Sequence, residues 1–206
     1  MLYVGLDQHK KYSYFTVKGE EDEVVFQGKI PSTPSGIDDF LENFKDQEIS
    51  VALEAGSSWY WLYDLLEEKV KKVSLVNPKA CKAIASAKLK KDKMDSLTLA
   101  NLLKADLLPT CYIPSREERY FREIVRFRAL LVRERTRVKN RMHSILGKLG
   151  ITHEFSDLFG KKGRKFLEVL ELSFPYRDEL KSLLKVLDYL NEEIDYVTGI
   201  IDSLCR

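Results

Sequence analysis

The chain has 206 residues, 44% of them hydrophobic and 11% aromatic, so it can bury a core and is not wholly disordered. No apolar run reaches the roughly 18 residues of a membrane-spanning helix, and an acidic residue at position 7 argues against a signal peptide. We therefore expect a soluble, cytoplasmic protein without a membrane partner. The net charge of +2 conceals a basic middle: residues 1–78 carry −6, residues 79–149 carry +11 and residues 150–206 carry −3. This distribution favours a polyanionic partner over the alternative of a solvated helix face.

The first 114 residues alternate strand and helix patterns. LYVGLD, YSYFTVK and EVVFQGKI predict three antiparallel strands, and ISVALE and VSLV predict two buried strands further on. Helical spacing appears at TPSGIDDFLENF and at residues 58–68, Pro78 can begin a short helix, and Asp92 or Asp95 begins one that runs to about Leu107. The order β-β-β-α-β-α-β-α predicts an α/β domain over residues 1–114 with a ribonuclease-H-like, mixed five-stranded sheet.

Residues 115–206 predict a basic helical region. One heptad series is Ile124, Leu131, Val138 and Ile145, with Phe121, Met142 and Leu149 on the partner seam. A second is Leu180, Leu187, Ile194 and Ile201, with Leu183, Leu190, Val197 and Leu204 between them. Residues 150–165 predict a loop. Two helices joined in this way would pair as an antiparallel α-helical coiled coil, and its long apolar stripe predicts homo-oligomers.

Four carboxylates fall at related places in this predicted domain. Asp7 ends the first strand and Glu54 ends the fourth, and these strands are neighbours in a ribonuclease-H-like sheet. Asp92 and Asp95, at i and i+3, share one face of a helix. Four such groups would repel one another unless divalent cations neutralised them, and Mg²⁺ prefers oxygen ligands. The pattern favours a site for two Mg²⁺ ions, with Mn²⁺ as a substitute, that catalyses a reaction at phosphorus.

The two carboxylates of the predicted helix also have a simpler interpretation. Asp92 could be an ordinary helix cap, and Asp95 a first-turn acid favoured by the helix dipole. His9 and Lys10 could contact a substrate phosphate, although a plain loop role for His9 fits the sequence equally well. Neighbouring lysines could hold a phosphate backbone beside the metal: Lys90, Lys91 and Lys93.

The first helix of the basic region is rich in arginine, which suits bidentate contacts to phosphate. The candidate nucleic-acid-binding residues there are Arg122, Arg126, Arg128, Arg133, Arg135, Arg137, Lys139, Asn140, Arg141 and His143. Binding through them should depend steeply on salt, and the spacing does not separate RNA from DNA. Trp59 and Trp61 are interpreted as packing residues of the core or its rim.

Four segments, in this order, resemble one known family: GLDQHK, LEAGSSWYWLYDLL, KKDKMDSLTLANLL and RFRALLVRERTRVKNRMHSILGKLG. They are similar to the N-terminal part of the DEDD transposases, the insertion-sequence one-hundred-ten (IS110) family, whose relatives include Piv-type DNA invertases. The resemblance covers about residues 2–151. It implies a RuvC-like domain with Asp7, Glu54, Asp92 and Asp95 as the catalytic metal-binding tetrad, followed by a coiled coil. It also implies recombination of DNA guided by a structured bridge RNA.

The sequence departs from the family pattern in two places. Ala55-Gly56-Ser57 stands where Thr-Gly is common, and Lys91 where Thr is common, but neither change removes a metal ligand. Members continue into a C-terminal domain with a nucleophilic serine that has no match here, so we expect a part of a longer transposase. Two other functions stay open: a stand-alone RuvC-like nuclease such as a junction resolvase, and a non-catalytic nucleic-acid-binding and dimerisation module.

Overall fold

The computed structural model describes residues 1–84 and 92–205. The chain divides into two compact units, Met1–Ile113 and Pro114–Arg206. Each unit buries apolar side chains of its own. No helix in the described part of the chain is long and apolar enough to cross a membrane.

The first unit is built on a mixed five-stranded sheet. Its strands are β1 (Leu2–Gln8), β2 (Tyr12–Lys18), β3 (Val24–Pro31), β4 (Ile49–Glu54) and β5 (Lys72–Val76). Their spatial order is β3-β2-β1-β4-β5. The first three strands are antiparallel, whereas β1, β4 and β5 run parallel. The predicted mixed sheet is confirmed, and its topology is consistent with the RuvC-like fold.

In the described part of the first unit, four helices accompany the sheet: α1 (Pro34–Glu42), α2 (Trp59–Glu67), α3 (Pro78–Ile84) and α4 (Asp92–Lys104). Helix α1 begins where Thr33 accepts a hydrogen bond from the Gly36 amide, with Pro34 in the first turn. Helix α4 ends three residues before the predicted Leu107. Asp106, with φ of 55°, adopts a left-handed conformation that cannot continue the helix.

Helix α4 packs directly against β1 and β2, which matters because it carries Asp92 and Asp95. The approach is closest at Gly5, where an added Cβ would lie 1.9 Å from the backbone oxygen of Ser96. Buried Thr16 hydrogen-bonds to Ser96 at 2.8 Å. Lys18, 6% exposed, donates to Asn101 at 2.6 Å. These contacts fix the position of α4 on the sheet.

Replacing Gly5 by alanine should therefore displace α4 and destabilise the first unit by at least about 2 kcal/mol, because the obstacle is backbone that cannot rotate away. Urea unfolding would measure the loss. Gly56→Ala is the matched control, since a Cβ there meets nothing within 4 Å. A Gly5→Ala protein as stable as the control would contradict this account of how α4 is held.

The second unit consists of three helices, α5 (Arg116–Lys148), α6 (Lys161–Val169) and α7 (Tyr176–Leu204). Ser115 and Glu118 form a capping box at the start of α5. Helices α5 and α7 pack against each other in antiparallel orientation: Arg128 bonds to Thr198, whereas Arg135, one heptad later, bonds to Asn191, one heptad earlier. The antiparallel pairing agrees with the prediction, and supercoiling of the pair stays a prediction.

The sequence prediction of a loop over residues 150–165 was wrong at its end, because α6 begins at Lys161. The run of lysines and glycines concealed an amphipathic helix. Gly163 packs so closely on Leu158 that a Cβ would lie 2.2 Å from its carbonyl oxygen. Leu167 is buried in the same cluster as Met142 and Leu184. The glycine is thus a packing residue here.

Candidate metal centre and nucleic-acid surface

Asp7, His9 and Asp92 come together at the end of β1. Asp7 lies near the end of β1, His9 follows in the turn to β2, and Asp92 begins α4. The His9 Nε2 atom lies 3.1 Å from Asp7 Oδ2 and 3.3 Å from Asp92 Oδ2. One ligand atom from each of the three residues lies within 4.8 Å of the others, and all three side chains are partly accessible. Residues from distant parts of the sequence thus form one candidate metal-ligand group.

The electrostatics of this group suit a cation. Burial raises the pKa of Asp7, His9 lowers it in part, and the carboxylates of Asp92 and Asp95 raise it further. Ionised carboxylates only accept hydrogen bonds, so the His9 nitrogen between them acts as a donor. Negative charges gathered in a partly buried place are costly until a positive charge neutralises them.

Tyr12 contacts Asp92, and Lys29 lies over the Tyr12 ring. The Tyr12 hydroxyl donates to Asp92 Oδ2 at 2.9 Å, and the Lys29 ammonium lies 4.2 Å from the centre of the Tyr12 ring. The hydrogen bond from Tyr12 is the main reason that the pKa of Asp92 is lowered, with His9 and Lys29 adding to it. Asp7 and Asp92 therefore have pKa values shifted in opposite directions.

Tyr12→Phe should raise the pKa of Asp92 towards its ordinary value, because the main hydrogen bond to the carboxylate is lost. A carboxyl group with a lowered pKa stabilises the fold at a pH above its unfolded-state pKa. This stability is lost as the pH falls through its folded-state pKa. The free energy of unfolding of the variant at pH 7 should thus fall by less than about 1 kcal/mol, because the Asp92 carboxylate is accessible to solvent. In acid the variant and the parent protein should differ less in stability. An NMR titration of the Asp92 carboxyl carbon measures the shift. An unchanged titration would contradict the role of Tyr12.

Glu54 lies at the same edge of the sheet. In the parallel pair of β1 and β4, Gly5 stands beside Ala52 and Leu6 beside Leu53, so the next positions are Asp7 and Glu54. Ala52 packs against Leu99 of α4, and alternate residues of a strand share a face. The side chains of Asp7 and Glu54 therefore project towards the face that α4 covers. Glu54 is half-buried.

Asp95 lies near Asp7, His9 and Asp92 but is not one of these three grouped residues. It lies one turn after Asp92 in α4, is half-buried, and its charge contributes to the raised pKa of Asp7. Of the predicted tetrad, the described structure brings Asp7 and Asp92 into one ligand group with His9. Glu54 and Asp95 occupy neighbouring positions.

The predicted lysines are only partly described. Lys10 and Lys93 are exposed, Lys10 in the turn after β1 and Lys93 in the first turn of α4. Lys90 and Lys91 lie outside the described residues.

The predicted arginines divide into two sets. Arg128 and Arg135 are half-buried and donate to Thr198 and Asn191, at 2.7 Å and 3.3 Å. Arg141 pairs with Glu179. These three arginines connect α5 to α7. The sequence prediction missed this role because it assigned every listed arginine of the helix to nucleic-acid contacts.

The remaining four arginines form one exposed stripe: Arg122, Arg126, Arg133 and Arg137. Their spacings of four, seven and four residues keep them within about 60° around the helix, over roughly 22 Å of its length. Asn140 falls on the same stripe and is exposed. Arg126 and Arg137 also contact Glu123 and Glu134. We call this set of four arginines and Asn140 the arginine stripe.

Two further predicted residues lie near the end of α5. The Lys139 ammonium stands 4.7 Å from the centre of the Phe159 ring, and the exposed His143 packs edge-on against the same ring at 5.3 Å. Both side chains thus hold the segment that leads to α6.

A family model for transposases of the IS110 DEDD type matches residues 4–150. The chain belongs to the DEDD transposases. It is also similar to the curated protein named "Putative transposase y4qE" of Sinorhizobium fredii, with 26% identity over 134 residues. The aligned part is 63% of this chain and 34% of that protein, so the chain spans about a third of the length of this relative.

The resemblance to DEDD transposases is thereby confirmed, and the mixed sheet of the first unit is consistent with a RuvC-like fold. Two features of the site at the end of β1 could not be predicted from the sequence. Tyr12 reaches Asp92 only because β2 brings it back beside β1. Trp59 is a core residue, as predicted, but Trp61 both packs on the core and lines a polar cavity of about 470 Å³ beside His9.

Proposed function

We propose that this chain is the metal-binding and nucleic-acid-binding part of a DEDD transposase that recombines DNA. The metal site would consist of Asp7, Glu54, Asp92 and Asp95 and would hold two Mg²⁺ ions, with Mn²⁺ as a substitute. The observation that carries the proposal is the meeting of Asp7 and Asp92 with His9 at the end of β1, with Glu54 in the neighbouring position of β4.

The donor set fits a divalent cation. Carboxylate oxygens suit Mg²⁺ and Mn²⁺, and His9 Nε2 could serve Mn²⁺ as a ligand once it has given up the proton that it donates to the carboxylates. Bound metal would supply Lewis-acid stabilisation of the charge that develops at the scissile phosphate. The chain itself positions the groups that would hold the metal: β1 and β4 present Asp7 and Glu54 in register, α4 brings Asp92 and Asp95, and Tyr12 orients the Asp92 carboxylate.

The arginine stripe would hold the nucleic acid. Its guanidinium groups are exposed and lie on the side of α5 away from Arg128 and Arg135, so they can reach phosphates without disturbing the contacts to α7. We propose DNA as the substrate and a structured bridge RNA as the guide. Exposed apolar residues of the helix pair, among them Phe127, Tyr189 and Tyr196, support homo-oligomers formed through these helices.

Incubation of the chain with supercoiled plasmid and branched DNA in Mg²⁺ or Mn²⁺ tests the proposed chemistry. Strand cleavage should require the metal and fall below detection in Asp92→Asn and Glu54→Gln. Cleavage that both variants retain would contradict the assigned site. Cleavage of branched DNA alone, complete without any further polypeptide, would favour the stand-alone junction resolvase.

A further inference from the structure

The polar cavity beside the candidate metal centre has walls from three elements. Residues 8–10, at the end of β1 and in the turn that follows, form one wall. Ser32 after β3 forms another, and the third contains Ser57, Ser58 and Trp61 around the start of α2. Its volume of about 470 Å³ lies within the range of roughly 300–1,000 Å³ typical of ligand pockets. A space of this size admits one nucleotide and excludes a duplex.

The cavity and the metal centre share a wall. His9 belongs to the cavity lining and to the group with Asp7 and Asp92. Gln8 directly follows Asp7, and its amide donates to the Ser58 carbonyl at 3.2 Å, which connects β1 to the start of α2. Whatever occupies the cavity therefore lies next to the carboxylates.

The lining has the chemistry that a nucleotide requires. Lys10 is an exposed cation that can pair with phosphate, and the half-buried Trp61 offers an aromatic surface. Ser57 and Ser58 also line this cavity, and their hydroxyl groups can donate and accept hydrogen bonds. An apolar ligand would find few partners among these groups.

We propose that this cavity binds one unstacked deoxynucleotide adjacent to the scissile phosphate, with its base on Trp61 and a phosphate at Lys10. The inference rests on the proposed function for the presence of DNA at this edge of the sheet. It adds a requirement, namely that the strand is locally unpaired where it enters the site. Aromatic stacking of this kind needs a free base face, which a duplex does not offer.

Photocrosslinking of the whole chain tests this directly. A single-stranded oligothymidine that carries 5-iododeoxyuridine is irradiated with the protein in EDTA, and the modified peptide is identified by mass spectrometry. We expect the crosslink at Trp61, in lower yield after Lys10→Met and in unchanged yield after Lys11→Met, because Lys11 lies next in sequence but outside the cavity lining. Crosslinks confined to other aromatic residues would overturn the proposal.

Variants of Trp61 provide the second measurement. Trp61→Leu should weaken binding of the same oligonucleotide about tenfold, whereas Trp61→Phe, which keeps an aromatic face, should stay within about threefold. Equal affinities for the parent and both variants would overturn the proposal. Mn²⁺ binding, measured on the same preparations, separates the two ideas. If the parent protein crosslinks at Trp61 but does not bind Mn²⁺, only the metal proposal is contradicted. If it binds Mn²⁺ but does not crosslink at Trp61, only the nucleotide proposal is contradicted.

Discussion

Replacing Asp7 by asparagine should lower the affinity of the chain for Mn²⁺ by at least about 100-fold. Replacing an outer partner of a metal ligand typically costs 10- to 100-fold, and Asp7 would be a ligand itself. Asp7 lies 3.1 Å from His9 and, through it, beside Asp92. Electron paramagnetic resonance of free Mn²⁺ in a titration measures the affinity. Asp46→Asn, at an exposed carboxylate in the connection before β4, is the matched control and should change nothing.

The same substitution should stabilise the metal-free protein. Because burial and neighbouring carboxylates raise the pKa of Asp7, the folded state holds the proton more tightly than the unfolded state. The associated stability is complete below the unfolded pKa of about 3.9 and is lost as pH rises through the folded value. The Asp7→Asn variant avoids that loss, so its melting temperature at pH 7 should rise by roughly 2–4 °C if about 1 kcal/mol is recovered. The difference should vanish near pH 3. A fall in melting temperature at pH 7 would contradict the predicted cost of the ionised Asp7 carboxylate, which comes first from burial and then from its acidic neighbours.

The second large effect is expected at the arginine stripe. Replacing Arg122, Arg126, Arg133 and Arg137 together by glutamine should reduce affinity for nucleic acid at least about 100-fold at low salt. The slope of log affinity against log salt should also decrease by about 3–4, because up to four phosphate contacts are lost and fewer counterions are released. Fluorescence anisotropy at several salt concentrations provides both quantities for DNA and for RNA.

The chain offers a matched control on the same helix. Arg128→Gln and Arg135→Gln remove the same charge per residue from the side that faces α7. These two substitutions should lower the stability of the helix pair by about 1 kcal/mol each and leave the salt slope nearly unchanged. A slope that falls by the same amount per charge removed in both sets of variants would show that binding follows total charge, and the stripe would have no special role.

The sequence was informative wherever a pattern is local. The apolar run LYVGLD, the alternation in YSYFTVK and the buried run ISVALE predicted strands of the sheet, and with them the positions of Asp7 and Glu54 at strand ends. The order of elements then predicted that β1 and β4 are neighbours. Chain order and connection rules suffice for this much, because few topologies satisfy them.

What the sequence did not predict depends on contacts between distant residues. Nothing around Tyr12 indicates a hydrogen bond to Asp92, and the isolated His9 fitted a loop role as well as a site role. The arginines of α5 look alike in sequence, yet their angular position decides which of them face α7 and which face away from it. In α6, glycine and lysine suggested a loop because propensity is a weak guide when packing, here of Gly163 on Leu158, decides the structure.

Anomalous diffraction from crystals of this chain soaked in millimolar Mn²⁺, with and without a bound DNA oligonucleotide, tests the central claim most directly. The proposed site predicts peaks within about 2.5 Å of carboxylate oxygens of Asp7 and Asp92, with Glu54 or Asp95 contributing at least one further ligand. Crystals without any peak at this edge of the sheet, even with DNA bound, would contradict a metal site at these residues.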